Sequence, residues 1–404
     1  MNKEDSLTSE EAFVLGVQNH KKNNLREAEN FYKKTIKKNP NHIDAYINLG
    51  VIFKQLREIQ KAKDCFDKAI KIKPNHVVAL SNLGIVFKQL GRYKEAKNYF
   101  DKAIEINPNN AILHNNLGIV FEELGELKKA KNSFKKSIEI NPNYTNAYWN
   151  LHTTVSSIDE AISILTKLYN IDNKHTNAKI MISALKGFKG SFKEFDNLSD
   201  KADSTHPYTR AIKWVFSLPK LPKIFFNRWE FLDEVISLAS KSRPFYEFGV
   251  WNGASFKYFI KNFKKGFGFD TFTGLPEAWH DSQPIGSYSS FGLVPKIKGG
   301  KFIVGEFKDT LPKFFSKKRP LASVINFDAD LYSSTICALN YSHKSIDKKT
   351  ILVFDEFIMH KNWEKDEYKA LNDFCKNLGF SYEVLALSFT TCQVAVKLKK
   401  NKID

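Results

Sequence analysis

Pro244-Phe-Tyr-Glu-Phe-Gly-Val-Trp-Asn-Gly-Ala-Ser255 and, ten residues on, Gly266-Phe-Gly-Phe-Asp270 decide the fold of the second half of the chain. Phe245 to Val250 is an apolar run broken only by Glu247, the signature of a buried strand. Gly249 and Gly253 follow, and 254–263 carries helical spacing. A strand, a glycine-containing turn and a helix begin a βαβ unit. Glycine at such a turn lets backbone approach a ligand, and a new helix start offers free N–H groups. The second strand, 266–269, ends in Asp270. An acid about 20 residues beyond the glycine turn suits a ribose diol.

The ligand can be narrowed further. A dinucleotide site wants G-x-G-x-x-G, whereas Gly249 to Gly253 gives G-x-x-x-G with Glu247 two residues ahead. A carboxylate there repels a pyrophosphate but can hold an ammonium group. Later strands also end in acids: 321–327 runs into Asp328-Ala-Asp330, and 351–354 into Asp355-Glu356. Ligands of a parallel sheet sit outside the carboxyl ends of its strands, so these acids converge on the same place. Three hard oxygen ligands suit Mg2+ or a similar cation, which would lower the pKa of a bound diol.

With these motifs in order, residues 225–404 resemble the class I S-adenosylmethionine-dependent methyltransferases, and within them the macrocin O-methyltransferase family. The resemblance rests on Glu247 to Gly253, Phe269 to Pro276, Asp309-Thr-Leu-Pro312, Asp328 to Thr335 and Phe354 to Phe357. It implies S-adenosylmethionine as cofactor, with Glu247 on its amino group and Asp270 on the ribose. Gly249, Trp251, Asn252, Gly253 and Phe272 complete the binding set. It implies a metal site at Asp328, Asp355 and Glu356, with Asp330 behind it or capping the next helix. The acceptor it implies is a sugar or glycan hydroxyl. A catechol or other diol fits the same metal logic, and an inactive scaffold is the non-enzymatic alternative. The sequence departs from the family at Glu356, where a second Asp is commoner, and at Lys348-Lys349-Thr350, which replaces a Pro-Gly-Gly turn. His280 and His360 are the candidate bases, neither one assigned. The loop from 277 to about 301 is long enough to close over a site.

The first half is a repeat. Residues 41–74, 75–108 and 109–142 are three copies of a 34-residue unit, each with Asn-Leu-Gly early, a Phe three residues later, then Ala, Phe and a closing Pro. A fourth copy fits 7–40. This is the tetratricopeptide pattern of paired helices. Small Gly and Ala let the helices cross closely, large Leu and Phe fill the space, and Pro ends the unit. Residues 143–186 read as a degenerate fifth repeat. The expected organisation is an all-α solenoid over 1–186, a connector over 187–224, and an α/β doubly wound domain with a mostly parallel sheet over 225–404. The recurrent Asn48, Asn82 and Asn116 suggest a ladder of amides toward a protein or peptide partner.

Composition sets the outer limits. The chain has 404 residues, 42% hydrophobic and 26% charged, with a net charge of +18, as expected of a globular protein with more than one core. No apolar run reaches the length of a membrane span. The four cysteines are too scattered for a zinc or disulfide framework. The lysine excess is spread out and carries no nucleic-acid motif. Without a leader-like N-terminus a cytoplasmic location is expected. Oligomeric state is not legible.

Overall fold

The structure, a computed structural model, describes residues 7–199, 202–280 and 283–400. The chain divides into two compact units, 1–151 and 152–404.

In the first unit eight helices alternate: α1 (Ser9–Lys21), α2 (Leu25–Lys38), α3 (Ile43–Gln55), α4 (Ile59–Ile72), α5 (Val77–Gln89), α6 (Tyr93–Ile106), α7 (Ala111–Glu123) and α8 (Leu127–Ile140). Each odd helix pairs with the next even one, and all follow the 34-residue period. Thr8 starts the array with a reciprocal capping box to Glu11. His42 and His76 start their helices with a ring nitrogen that accepts from Ala45 and Ala79. Between paired helices one residue per repeat is left-handed: Asn23, Arg57, Gly91 and Gly125, with φ from 60 to 76°. Such a residue ends the first helix and turns the chain into the second.

The small residues have a specific tenant. A Cβ on Gly16 would lie 2.7 Å from the Tyr32 ring, and one on Gly50, Gly84 or Gly118 would lie 2.5–2.7 Å from Phe66, Phe100 or Phe134. These rings are fully buried. Each repeat is thus closed by an aromatic ring packed against its own glycine.

The sequence reading grouped 143–186 with the array. The structure forms helices at Thr145–Leu151, Ile158–Ile171 and Thr176–Phe188, and the last two belong to the second compact unit. The connector 187–224 is itself structured and leads into the sheet. It holds helices Lys193–Ser199 and Pro207–Phe216 and the strand β1 (Lys223–Phe225). Three residues are too few to show alternation, so the pattern alone did not reveal this strand.

The second unit is built on one eight-stranded sheet. Its other strands are β2 (Phe245–Phe248), β3 (Gly266–Asp270), β4 (Gly300–Val304), β5 (Val324–Phe327), β6 (Ile351–Phe354), β7 (Phe380–Ser388) and β8 (Gln393–Lys400). The order is β1-β7-β8-β6-β5-β2-β3-β4, with β8 alone antiparallel to its neighbours. This is the doubly wound sheet expected, with a C-terminal hairpin. Order reverses beside β2, whose neighbours are β3 and β5. That switch point is where such sheets hold ligands.

Four phenylalanines at or one short of the ends of four adjacent strands are in register. Phe248 pairs with Phe327 and Phe269, and Phe327 with Phe354. Their rings stack 4.8–5.4 Å apart at 10–22°. The next residues past these rings are Gly249, Asp270, Asp328 and Asp355, so the aromatic row carries the site on its upper edge.

Gly84→Ala drives a methyl group into the Phe100 ring. It should lower the stability of the repeat array by about 1–3 kcal/mol, the range for overpacking, as read by thermal or urea unfolding. Adding Phe100→Leu should recover part of that loss.

Candidate active site

Position 249 tolerates no side chain. Its φ is +87°, and a Cβ there would stand 1.7 Å from the carbonyl oxygen of Asp328. The ends of β2 and β5 are therefore in backbone contact, and the chain leaves between them through a turn that also needs left-handed Trp251 and Gly253. Phe272, Tyr288 and Asp330, on the loops around it, are left-handed as well, each near +58°. Such conformations persist only where surrounding contacts hold them, and they collect at functional sites.

Asp270 does much of that holding. Its Oδ2 accepts from the backbone N–H of Val250 (2.6 Å) and of Trp251 (2.8 Å), and its Oδ1 from that of Phe272 (2.6 Å). A carboxylate offers roughly four acceptor positions, so one is left. The residue read from sequence as a ribose ligand is in this arrangement first the organiser of the turn.

Glu247 is fully buried. Ser255 donates to its Oε1 at 2.5 Å, and Oε2 has no hydrogen-bond partner. Burial pushes its pKa up to about 8, with Asp355 repelling in the same direction. On β5 Asn326 sits beside it in register and interacts with its carboxyl, lowering its pKa, while the Asn326 oxygen has no partner. At the turn, Asn252 caps Ala254 with its oxygen (2.9 Å), while its Nδ2 is unpartnered. Two buried acceptors and one buried donor thus lack partners around one glycine turn. Buried polar atoms are ordinarily paired, so each such gap calls for a reason.

A surplus of acid fills the ends of β5 and β6. Burial raises the carboxyls of Asp328 and Glu356 well above their ordinary range, and repulsion from Asp355 adds to it. Asp330 is pushed up to about 7 by burial and the same neighbour. Asp330 does not cap the following helix: Leu331 stands at that position, with no side-chain bond. Asp355 faces Arg228, 3.1 Å from Oδ2, and accepts from the amide of Gln393. Glu367, buried and raised in pKa, accepts from the Glu356 backbone N–H at 3.3 Å.

Arg228, Gln393, Glu367 and Asn326 are the site residues that the sequence did not disclose. Gln393 alone had a usable signal. It lies next to Val394, which pairs with Phe354, so hairpin register brings it opposite Asp355.

The two histidines belong to the loop anchor. The His360 ring donates from Nε2 to the Glu356 carbonyl (3.0 Å), and burial lowers its pKa to about 4, so it is neutral. Its ring meets Trp279 edge-on, and His280 lies against the other ring system of that contact, 4.7 Å from Trp279. The Trp279 indole donates to Asp366 at 3.0 Å. These contacts pin the loop after Pro276 to the segment after β6.

Asp328, Asp355 and Glu356 lie at adjacent strand ends. Among the described residues, however, no group of three or more acidic, histidine or cysteine side chains converges as a metal-binding set. Asp355 is turned to Arg228 and Gln393 instead. The donor chemistry suits a hard cation, but the arrangement does not form its coordination sphere.

Comparison with known proteins agrees with both halves. The tetratricopeptide repeat family model matches 43–76, 77–110 and 111–144, two residues later than the frame chosen from sequence. The macrocin O-methyltransferase family model matches 283–384. That segment carries Asp328, Asp330, Asp355 and Glu356, while the glycine turn and Asp270 lie before it. No curated protein matches the chain. Similar solved structures include YrrB, a repeat protein with an unusual peptide-binding site, at 26% identity over 42% of this chain and 91% of that one, TM-score 0.36. The type IV pilus biogenesis factor PilW is 20% identical over 51% and 98%, TM-score 0.46. MamA is 23% identical over 40% and 97%, TM-score 0.37. The chain therefore carries tetratricopeptide repeats and, C-terminal to them, a segment like a macrocin O-methyltransferase.

Asp270→Ala removes three charge-assisted hydrogen bonds from the turn. It should destabilise the second unit by about 2–4 kcal/mol, allowing for non-additivity of bonds worth about 1.5–3 each. A thermal shift with the array transition unchanged is the expected reading. An unaltered melting profile would mean that the turn holds itself.

Proposed function

We propose that the second unit is an S-adenosylmethionine-dependent O-methyltransferase acting on a hydroxyl of a sugar or glycan. The observation that carries this reading is the trio of unpartnered polar atoms at the glycine turn. Glu247 Oε2 and Asn326 Oδ1 are acceptors suited to an ammonium group, and Asn252 Nδ2 is a donor suited to a carboxylate. Together they match the amino-acid end of that cofactor. Gly249 and Gly253 let the chain pass close to it. Asp270 keeps the turn in place and retains one acceptor position for a ribose hydroxyl. Trp251 and Phe272, both left-handed, flank it. The cofactor when bound supplies an electrophilic methyl group on a cationic sulfur. Surrounding carboxylates favour that cation, and the chain's task is to place an acceptor oxygen in line with it. The sugar class rests on the likeness of 283–384 to its family. The repeat array is read as the docking element for a protein or peptide partner.

Asp328, Asp355 and Glu356 are proposed to take a divalent cation, supported by three oxygen donors at adjacent strand ends; Asp355 would have to turn from Arg228 and Gln393 to join it. Chelation should then abolish methyl transfer and added Mg2+ restore it, with calorimetric binding of S-adenosylmethionine unchanged. Full activity in excess chelator would remove the cation and leave Arg228 as the positive charge beside Asp355.

Glu247 gives a separate test with a definite sign. Its folded-state pKa, about 8, lies above the ordinary 4.5. The folded protein therefore holds a proton that the unfolded chain releases, and the ligand-free fold loses stability as pH rises through that interval. Glu247→Gln should flatten this slope and raise the melting temperature at pH 8. The same variant should weaken S-adenosylmethionine binding about tenfold or more, the cost of losing a hydrogen bond to a charged group. Unchanged affinity would take Glu247 out of the cofactor site.

A further inference from the structure

The three most exposed large apolar side chains among the described residues sit on one loop: Leu293 (73%), Ile285 (69%) and Phe291 (63%). Val294 and Tyr288 on the same loop are also exposed. Elsewhere in the second unit the described phenylalanines are buried or half-buried, apart from Phe192 at 38%, so this is a local departure. Soluble surfaces rarely gather apolar groups in this way without a partner for them.

The segments beside these side chains are rich in lysine; the acids of the same loop lie before them, Glu277, which accepts from Ser333, and Asp281, outside the described residues. Residues 283–301 contain Lys296, Lys298 and Lys301 and no acid. Residues 254–265, the helix Ala254–Ile260 and its exit, contain Lys257, Lys261, Lys264 and Lys265 and no acid. The two segments lie against each other. A Cβ on Gly253 would be 3.1 Å from Ile297, and one on Gly299 would be 3.3 Å from Ile260 and from the Lys264 carbonyl. All seven lysines are exposed, and no recorded ion pair engages any of them. The carboxylate that does touch this helix, Asp233, is held by the Tyr258 hydroxyl at 2.7 Å.

We infer that this face docks the protein onto an anionic lipid surface, with Ile285, Phe291 and Leu293 entering the headgroup boundary and the flanking lysines meeting lipid charge. Exposed apolar side chains with lysines on the same and the adjoining segment supply the two components of interfacial membrane binding. Charge complementarity selects the occupant. A neutral protein partner would leave seven cations unmatched. Nucleic acid would match them but leave the aliphatic Ile285 and Leu293 in water, with no arginine on either segment to read phosphate. The inference is independent of the reaction assigned to the site, since it concerns only where the site is held.

The test is co-sedimentation of the full chain with vesicles of phosphatidylcholine alone or with about one third phosphatidylserine. Binding is expected to the anionic vesicles, to fall steeply with added salt, and to be weak on neutral ones. Phe291→Ser with Leu293→Ser should lower the partition coefficient about tenfold or more through lost apolar burial, and separately Lys296→Glu with Lys298→Glu should lower it too. Both pairs are solvent-exposed, the lysine pair should cost about 25-fold or more at a factor of five per lysine, and circular dichroism should show the fold unchanged. Lys102→Glu with Lys135→Glu on the repeat array serves as the control and should leave binding intact. Failure of the wild type to sediment with anionic vesicles at low salt overturns the inference. So does retention on heparin without vesicle binding, which assigns the lysines to a soluble polyanion. Vesicle binding equally insensitive to both pairs overturns this face as the docking site.

Discussion

Four phenylalanines at the ends of adjacent strands set the geometry on which the site depends. Phe354, Phe327, Phe248 and Phe269 stack ring to ring across β6, β5, β2 and β3. A strand that slipped by one residue would turn its ring to the opposite face and break the row. Because the row is intact, the residues after it arrive in line, and a glycine, two aspartates and the acid of β3 share one edge. The close approach of Gly249 to the Asp328 carbonyl is the tightest expression of that alignment. Stacking supplies the register, and glycine permits the contact that the register demands.

The electrostatics follow from the same alignment. Strand ends that meet in register bring their acids together in a place that the aromatic row keeps dry. Burial then raises Glu247, Asp328, Asp330 and Glu356 together. Arg228 offsets part of this through Asp355, and Gln393 takes the other oxygen. The protein without ligands therefore carries carboxyls held partly protonated, beside polar atoms that have no partner. Such an arrangement lowers the stability of the ligand-free protein.

Much of this could be read in the chain before folding. The repeat array was legible because a 34-residue period places Gly, Ala and Phe at fixed offsets, and the structure seats each ring on its own glycine. The acids were legible because each follows an apolar run and so stands at a strand end. What they face was not. Arg228 is 127 residues from Asp355 and Gln393 is 38 residues away, and nothing local marks either as a partner. The role of Asp270 was hidden for a different reason. A side chain that binds its own backbone and one that binds a ribose look alike in sequence, and the three N–H contacts reveal the first of these roles. Tyr332 and its helix likewise begin without the cap that Asp330 seemed to offer, because Asp330 is left-handed and directed elsewhere.

The closure of each repeat by its own ring has a consequence for how such an array changes length. Tyr32 on Gly16, Phe66 on Gly50, Phe100 on Gly84 and Phe134 on Gly118 are all contacts inside a single 34-residue module. Duplicating or deleting one module leaves every other seal intact and asks only that neighbouring surfaces fit, which identical modules do. Copy number is thus free to drift in inheritance while the tertiary grammar stays fixed, and the reach of the array can evolve separately from the chemistry that follows it.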